Sequence, residues 1–268
     1  MERPSRDQRR NVRRIELQLK TEASLLQGWA LLPIDYYVLP LVVLCHGIPS
    51  GLEVVGDPGY EGLAKELAQK GIASLFFNFR GAGFSRGDFS MGGWVDDLQA
   101  ALDLVFHGEG VFSWIHPEKV ALWGYSGGGA AAILCAARDH RPAAAISLAA
   151  PDGLDRIFPR ENIGEFIQHC RMVGLIKSEG YPASEDEFFD ELMAHRPIDC
   201  VSHVAPTPLL IVQGTLDSTV PVECAHRLYE AAGNPKDLVI IERGEHKLRL
   251  NRQATDAALT WLQRILDL

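Results

Sequence analysis

The sequence predicts an α/β fold: a mostly parallel, twisted sheet with helices on both faces and a small helical insertion. Three observations predict it. Short apolar runs, fit for strands buried on both faces, alternate along the chain with segments of helical periodicity. One of these runs, Val120-Ala121-Leu122-Trp123, breaks into glycines around a single serine and resumes as an Ala-rich helix. One stretch, 154–204, interrupts the alternation with two helix candidates and no buried strand.

The elements follow in order. Residues 1–14 are Arg-rich with no apolar segment behind them, so they read as a flexible basic arm rather than a secretory signal. Residues 15–20 alternate apolar and polar, and 25–32 form a second strand-like run; together they predict an antiparallel hairpin at a sheet edge. A buried strand over 39–45 ends at His46-Gly47-Ile48. A helix over 60–70 places Leu63, Leu67 and Ala68 on one face and stops at Gly71. The strand over 73–79 runs into the Arg80–Gly87 glycine-rich loop, and an amphipathic helix follows over 94–106. After the serine turn come strands over 143–149, 209–213 and 238–241, a helix over 222–232 and a closing helix over 251–268. The core is thus 15–153 plus 205–268, with 154–204 as a helical cap placed where ligands bind, above the C-terminal strand ends.

Composition narrows the function. The chain has 268 residues and a net charge of −9, which argues against nucleic acid as a partner. No apolar run approaches the roughly 20 residues that span a bilayer. The five cysteines are scattered, odd in number and without C-x-x-C spacing, which points to reduced thiols and a cytoplasmic protein. No Cys/His pair has zinc-ligand spacing, so no metal is expected. The Gly81–Gly87 loop has the wrong glycine spacing for a dinucleotide, so no cofactor is expected either. A small-molecule substrate fits best, and a homo-oligomer stays open.

The serine stretch carries the chemistry. Gly124-Tyr125-Ser126-Gly127-Gly128 is a G-x-S-x-G turn between a strand and a helix, which pushes the serine hydroxyl out of a strained turn. A hydroxyl needs a base with a pKa near neutrality, and the base needs an acid to fix its tautomer. His246 and Asp217 each follow a predicted strand, and Ser126, Asp217, His246 is the chain order of such triads on α/β sheets. Asp152 also ends a strand and is the rival acid; Glu242 and Glu245 read as solvated. His46 reads as structural. Arg80 either binds a substrate carboxylate or, preferably, pairs with Asp96 or Asp97.

From Ile15 to Leu268 the chain resembles the α/β-hydrolase superfamily. The resemblance rests on His46-Gly47, on the loop Asn78-Phe79-Arg80-Gly81-x-Gly83-x-Ser85, on Gly124-x-Ser126-x-Gly128, on Gly214-x-x-Asp217-x-x-Val220-Pro221 and on Gly244-x-His246. Within it, the chain is similar to compact intracellular esterases related to dienelactone hydrolases, cinnamoyl esterases and prolyl-oligopeptidase-like peptidases. The resemblance implies Ser126 as nucleophile, His246 as base and then acid, and Asp217 as orienting carboxylate. It implies an oxyanion hole of the Gly127 and Ile48 backbone N–H groups. His-Gly-Gly-Gly is missing, and the nucleophile is neither cysteine nor aspartate, which sets several branches aside. The large propeller of prolyl oligopeptidases has no counterpart here, which favours esters over peptides. The expected function is hydrolysis of small to medium carboxylic esters through an acyl-enzyme. A peptidase, amidase or thioesterase with the same triad is the alternative, and a non-enzymatic binding module is a third. Phe158, Phe166, Phe188 and Phe189 either line an acyl pocket under the cap or form the cap's own core.

Overall fold

Among the described residues eight strands form one sheet in the order β1-β2-β4-β3-β5-β6-β7-β8. They are β1 (Val12–Lys20), β2 (Leu25–Pro33), β3 (Leu39–Cys45), β4 (Ala73–Phe77), β5 (Ile115–Tyr125), β6 (Ala144–Leu148), β7 (Leu209–Gly214) and β8 (Lys236–Ile241). The helices are α1 (Gly59–Gln69), α2 (Met91–His107), α3 (Gly127–Ala136), α4 (Leu154–Ile157), α5 (Ile163–Met172), α6 (Glu185–Ala194), α7 (Val222–Ala231) and α8 (Arg252–Ile265). The computed structural model describes residues 11–21, 23–34, 38–52 and 57–268.

β1 and β2 pair antiparallel at one edge, and β2 runs antiparallel to β4. Every pair from β4 to β8 is parallel. The parallel strands β3, β4, β6 and β7 are buried almost throughout, as their unbroken apolar runs require when helices cover both faces. Leu98, Leu102 and Val105 of α2, Ala130 to Ala136 of α3 and Leu228 of α7 fill the core on one face. Ala64 and Leu67 of α1 and Ala258, Trp261 and Leu262 of α8 fill the other. β5 lies between β3 and β6 in the middle of the sheet, so its C-terminal end opens onto the centre of the strand-end face.

Several boundaries differ from the sequence reading. The basic arm ends before residue 14: Val12, Arg13 and Arg14 pair with Pro33, Leu32 and Leu31. The Arg14 guanidinium lies 5.4 Å over the Trp29 ring and 3.5 Å from Glu61, contacts that periodicity does not reveal. Residues 1–10 of the arm lie outside the described residues. β5 also begins earlier, at Ile115, where Leu39 pairs with Ile115 ahead of a register shift in the β3 ladder.

The stretch 154–204 packs on the α2 side of the core. Phe166, Phe188 and Leu192 join Phe89 and Trp94 in one buried cluster. Ser184 caps α6 by accepting from the Glu187 N–H at 3.1 Å. Glu191 of α6 accepts from the Met91 and Gly92 N–H groups at 3.2 and 2.7 Å, placing a carboxylate on the N-terminus of α2. Lys177 donates to the Gly83 and Ser85 carbonyls at 3.1 and 2.8 Å, tying the stretch to the glycine-rich loop. Among the described residues no helix is long and apolar enough to cross a membrane.

Candidate active site

Ser126 stands at the turn between β5 and α3 with φ 54° and ψ −124°, a left-handed conformation that L residues rarely adopt. The turn holds it there. The Ser126 N–H donates to the Leu148 carbonyl at 2.8 Å, and its carbonyl accepts from Ala130 at 3.0 Å. The flanking glycines are required by backbone approach. A Cβ on Gly124 would run into the Gly128 carbonyl, and one on Gly128 into the Cys45 and His46 carbonyls.

Two further strand ends converge on this serine. His246 Nε2 lies 3.2 Å from Ser126 Oγ, and His246 Nδ1 lies 2.8 Å from Asp217 Oδ2. Asp217 Oδ2 also accepts from Gln213 Nε2 at 2.8 Å, while Oδ1 accepts from the Thr219 and Val220 N–H groups at 2.9 and 2.8 Å. Burial alone would raise the Asp217 pKa. The bond to His246 and the Val220 and Thr219 amides outweigh it and hold the carboxyl below its ordinary value. The carboxylate therefore faces the imidazole ionised at Nδ1, and Nε2 faces the Ser126 hydroxyl.

The expected oxyanion donors lie next to one another. Gly127 is the first residue of α3, and a Cβ there would sit 3.2 Å from Ile48 Cγ1 and 3.4 Å from Trp94 Cζ3. Among the described residues neither the Gly127 nor the Ile48 N–H has an acceptor. The turn carrying Ile48 is fixed by His46. Its Nδ1 bonds the Gly47 carbonyl at 2.8 Å, and its Nε2 accepts from the Phe79 N–H at 3.0 Å. Desolvation pushes the His46 pKa down to about 4, against the pull of the Gly47 bond, so the ring stays neutral at pH 7.

The rival residues are engaged elsewhere. Asp152 is fully buried, and its Oδ2 receives Arg227 Nε at 2.6 Å and lies 3.1 Å from Arg156 Nε. Arg80 grips buried Asp97 with Nε at 3.0 Å and a terminal nitrogen at 2.7 Å. Glu242 and Glu245 are exposed. Ser85 is buried and holds the Asn78 carbonyl at 2.5 Å. Among the described residues no cluster of three His, Cys, Asp or Glu side chains is placed to hold a metal ion.

Phe188 and Phe189 pack in the core that the 154–204 stretch shares with Phe89. Phe188 is 1% exposed, packed among Phe89, Phe166 and Tyr181. Phe189 carries the Arg160 guanidinium 4.4 Å over its ring. The helical periodicity of α6 turns both rings to the insertion's own packing. A cavity of about 610 Å³ opens beside His246, walled by Ile48, Tyr60, Phe76, Trp29 and Tyr125. The sequence reading also missed Gln213. A polar residue at the end of an otherwise apolar buried strand was its signal.

The sequence profile of the prolyl oligopeptidase family matches residues 60–268. This chain belongs to the prolyl oligopeptidase family. It is thereby a member of a serine hydrolase family in the α/β-hydrolase superfamily. Uncharacterized protein YfhR of Escherichia coli is 25% identical to it over 225 residues, 82% of this chain and 69% of YfhR. The crystal structure of the α/β hydrolase GrgF from Penicillium sp. sh18 superposes with a TM-score of 0.74 at 23% identity, covering 96% of this chain and all of that one (100%). Est1E from Butyrivibrio proteoclasticus, solved with ferulic acid bound, superposes with a TM-score of 0.70 at 20% identity, covering 94% of this chain and 100% of that one.

Proposed function

We propose that this member of the prolyl oligopeptidase family hydrolyses carboxylic esters through a covalent acyl-enzyme. The observation that carries the proposal is the unbroken hydrogen-bonded chain from Ser126 through His246 to Asp217. Ser126 Oγ attacks the ester carbonyl carbon while His246 Nε2 takes its proton. The carbonyl oxygen becomes an oxyanion that accepts from the Gly127 and Ile48 N–H groups. His246 then gives its proton to the alcohol oxygen as the carbon–oxygen bond breaks, and the alcohol leaves. Water attacks the acyl-enzyme by the same route, with His246 taking its proton and returning it to Ser126, and the carboxylic acid departs.

Three features support narrower readings. His169 of α5 bonds the Pro49 carbonyl at 2.9 Å, and a Cβ on Gly51 would come within 3.1 Å of Val173. These contacts seat the 154–204 stretch against the turn that carries Ile48, in keeping with a cap. The cavity beside His246 has room for a small to medium substrate. The five cysteines are all free, in keeping with a reducing, cytoplasmic setting.

The test is labelling by a fluorophosphonate probe, followed by rates on a p-nitrophenyl ester and the matching p-nitroanilide. Labelling at Ser126 with faster ester than anilide turnover is expected. No labelling would sink the hydrolase reading, and faster anilide cleavage would move the substrate class to amides and peptides.

A further inference from the structure

The cavity beside His246 has a wall composition and a position that together define what enters it. Its wall is built from Trp29 of β2, Phe76 of β4, Tyr60 of α1, Tyr125 at the end of β5, Ile48 and His246. Trp29 and Phe76 stack with centroids 5.5 Å apart, and the Tyr125 and His246 rings meet at 5.3 Å. Gly47, also on the wall, abuts the nucleophile: a Cβ there would lie 2.9 Å from Ser126 Cβ. Arg249 and Glu61 reach the same wall ion-paired, with Asp57 and Lys65 in turn, and Lys247 reaches it as an exposed side chain. Among the described residues the wall holds none from 154–204.

We propose that this cavity is the leaving-group subsite and selects a ring-bearing alcohol. The inference rests on the ester-hydrolase reading above and deepens it. The group that His246 protonates must leave past His246, because proton transfer needs hydrogen-bond reach. Of the substituents on the reacting carbon, the alcohol oxygen therefore lies nearest the imidazole, and its organic part enters the space that the imidazole borders. An aromatic wall rewards a flat apolar ring over a short alkyl group. The acyl part is then directed out of this cavity. Tyr60 is the specificity-determining residue most open to change, since it is half-buried on α1 and outside the Ser126–His246–Asp217 chain.

The experiment uses two substrate series on the wild type and on Tyr60→Ala. The first keeps the acyl group as acetyl and varies the alcohol among ethanol, cyclohexylmethanol and 2-naphthylmethanol, all of similar leaving-group basicity. The second keeps ethanol and lengthens the acyl chain. In the wild type kcat/KM is expected to rise about tenfold from the ethyl to the naphthylmethyl ester, and Tyr60→Ala to erase most of that gain. The acyl-length dependence should keep its shape in the variant. Because Tyr60→Ala can weaken α1, the wild type supplies a second measurement: 2-naphthylmethanol should slow fluorophosphonate labelling of Ser126, and ethanol at equal concentration should not. A flat alcohol series, or a variant that alters the acyl series instead, overturns the subsite while leaving the triad standing. Absence of labelling by any fluorophosphonate overturns the triad and the subsite with it.

Discussion

Gly214 and Gly244 touch backbone to backbone: a Cβ on Gly214 would run into the Gly244 carbonyl oxygen. That carbonyl also accepts from the Leu216 N–H at 2.9 Å. The contact locks the turn after β7 to the turn after β8, and those turns carry Asp217 and His246. Gly214→Ala should push the two turns apart and lengthen the Asp217–His246 bond. A misplacement near 1 Å costs on the order of a hundredfold in rate, so kcat/KM should fall about 10–100-fold. Kinetics paired with thermal melting checks this. Wild-type kinetics in the variant would show that the two turns find their places without the contact.

Ser126→Ala should remove hydrolysis and fluorophosphonate labelling while the circular dichroism spectrum and melting point stay close to wild type. Among the described residues the hydroxyl bonds His246 alone, and the turn is held by the Ser126 backbone. Loss of a triad nucleophile costs about 10⁶-fold in kcat where it has been dissected. Labelling that persists at Ser50 or Ser85 would place the nucleophile elsewhere.

Most of the sheet was legible because buried parallel strands are continuous apolar runs, and 39–45, 73–77 and 144–148 are such runs. β5 was legible only from Val120 onward. His116, Pro117, Glu118 and Lys119 interrupt the apolar pattern where the strand reaches solvent. The spacing of Ser126, Asp217 and His246 at three strand ends anticipated their meeting, since parallel strands bring their C-terminal ends to one side. The sequence left Phe188 between a pocket and the insertion's own core. Its ring completes a cluster with Phe89 and Phe166, and Phe89 lies almost 100 positions away in sequence. The cavity beside His246 escaped notice for the same reason. Trp29, Tyr60 and Phe76 read as ordinary strand and helix residues until the sheet order places them together.

Asp217→Asn and Asp152→Asn should separate cleanly. The Asp217 carboxylate is ionised and receives Gln213, Thr219, Val220 and His246. An amide at that place presents N–H₂ to one or more of these donors and favours the wrong imidazole tautomer. A drop in kcat of about 10⁴-fold is the precedent for such a change. Asp152→Asn removes a charge facing Arg227 and Arg156, so its effect should fall on stability, by about 1–3 kcal/mol, with kcat nearly kept. Steady-state rates and urea melts of both variants decide between them. A larger rate loss in Asp152→Asn would transfer the orienting role to the end of β6.

His195 gives a pH prediction that does not involve the reacting groups. Its Nδ1 lies 3.1 Å from Glu191 Oε1, and the same carboxylate caps the N-terminus of α2 through Met91 and Gly92. The Glu191 side chain raises the His195 pKa; desolvation and the more distant Arg138 charge oppose the rise without cancelling it. The folded chain therefore binds this proton more tightly than the unfolded chain does. The stabilisation is fully present below the unfolded value of about 6.5 and is lost as pH rises through the higher folded value. His195→Gln should lower the melting point by roughly 2–4 °C at pH 5.5, corresponding to about 1 kcal/mol, and by much less at pH 8.5. Melting curves of both proteins across that interval test it. A difference that is constant with pH would mean that His195 supports α6 by packing alone and that its proton takes no part in holding the 154–204 stretch to α2.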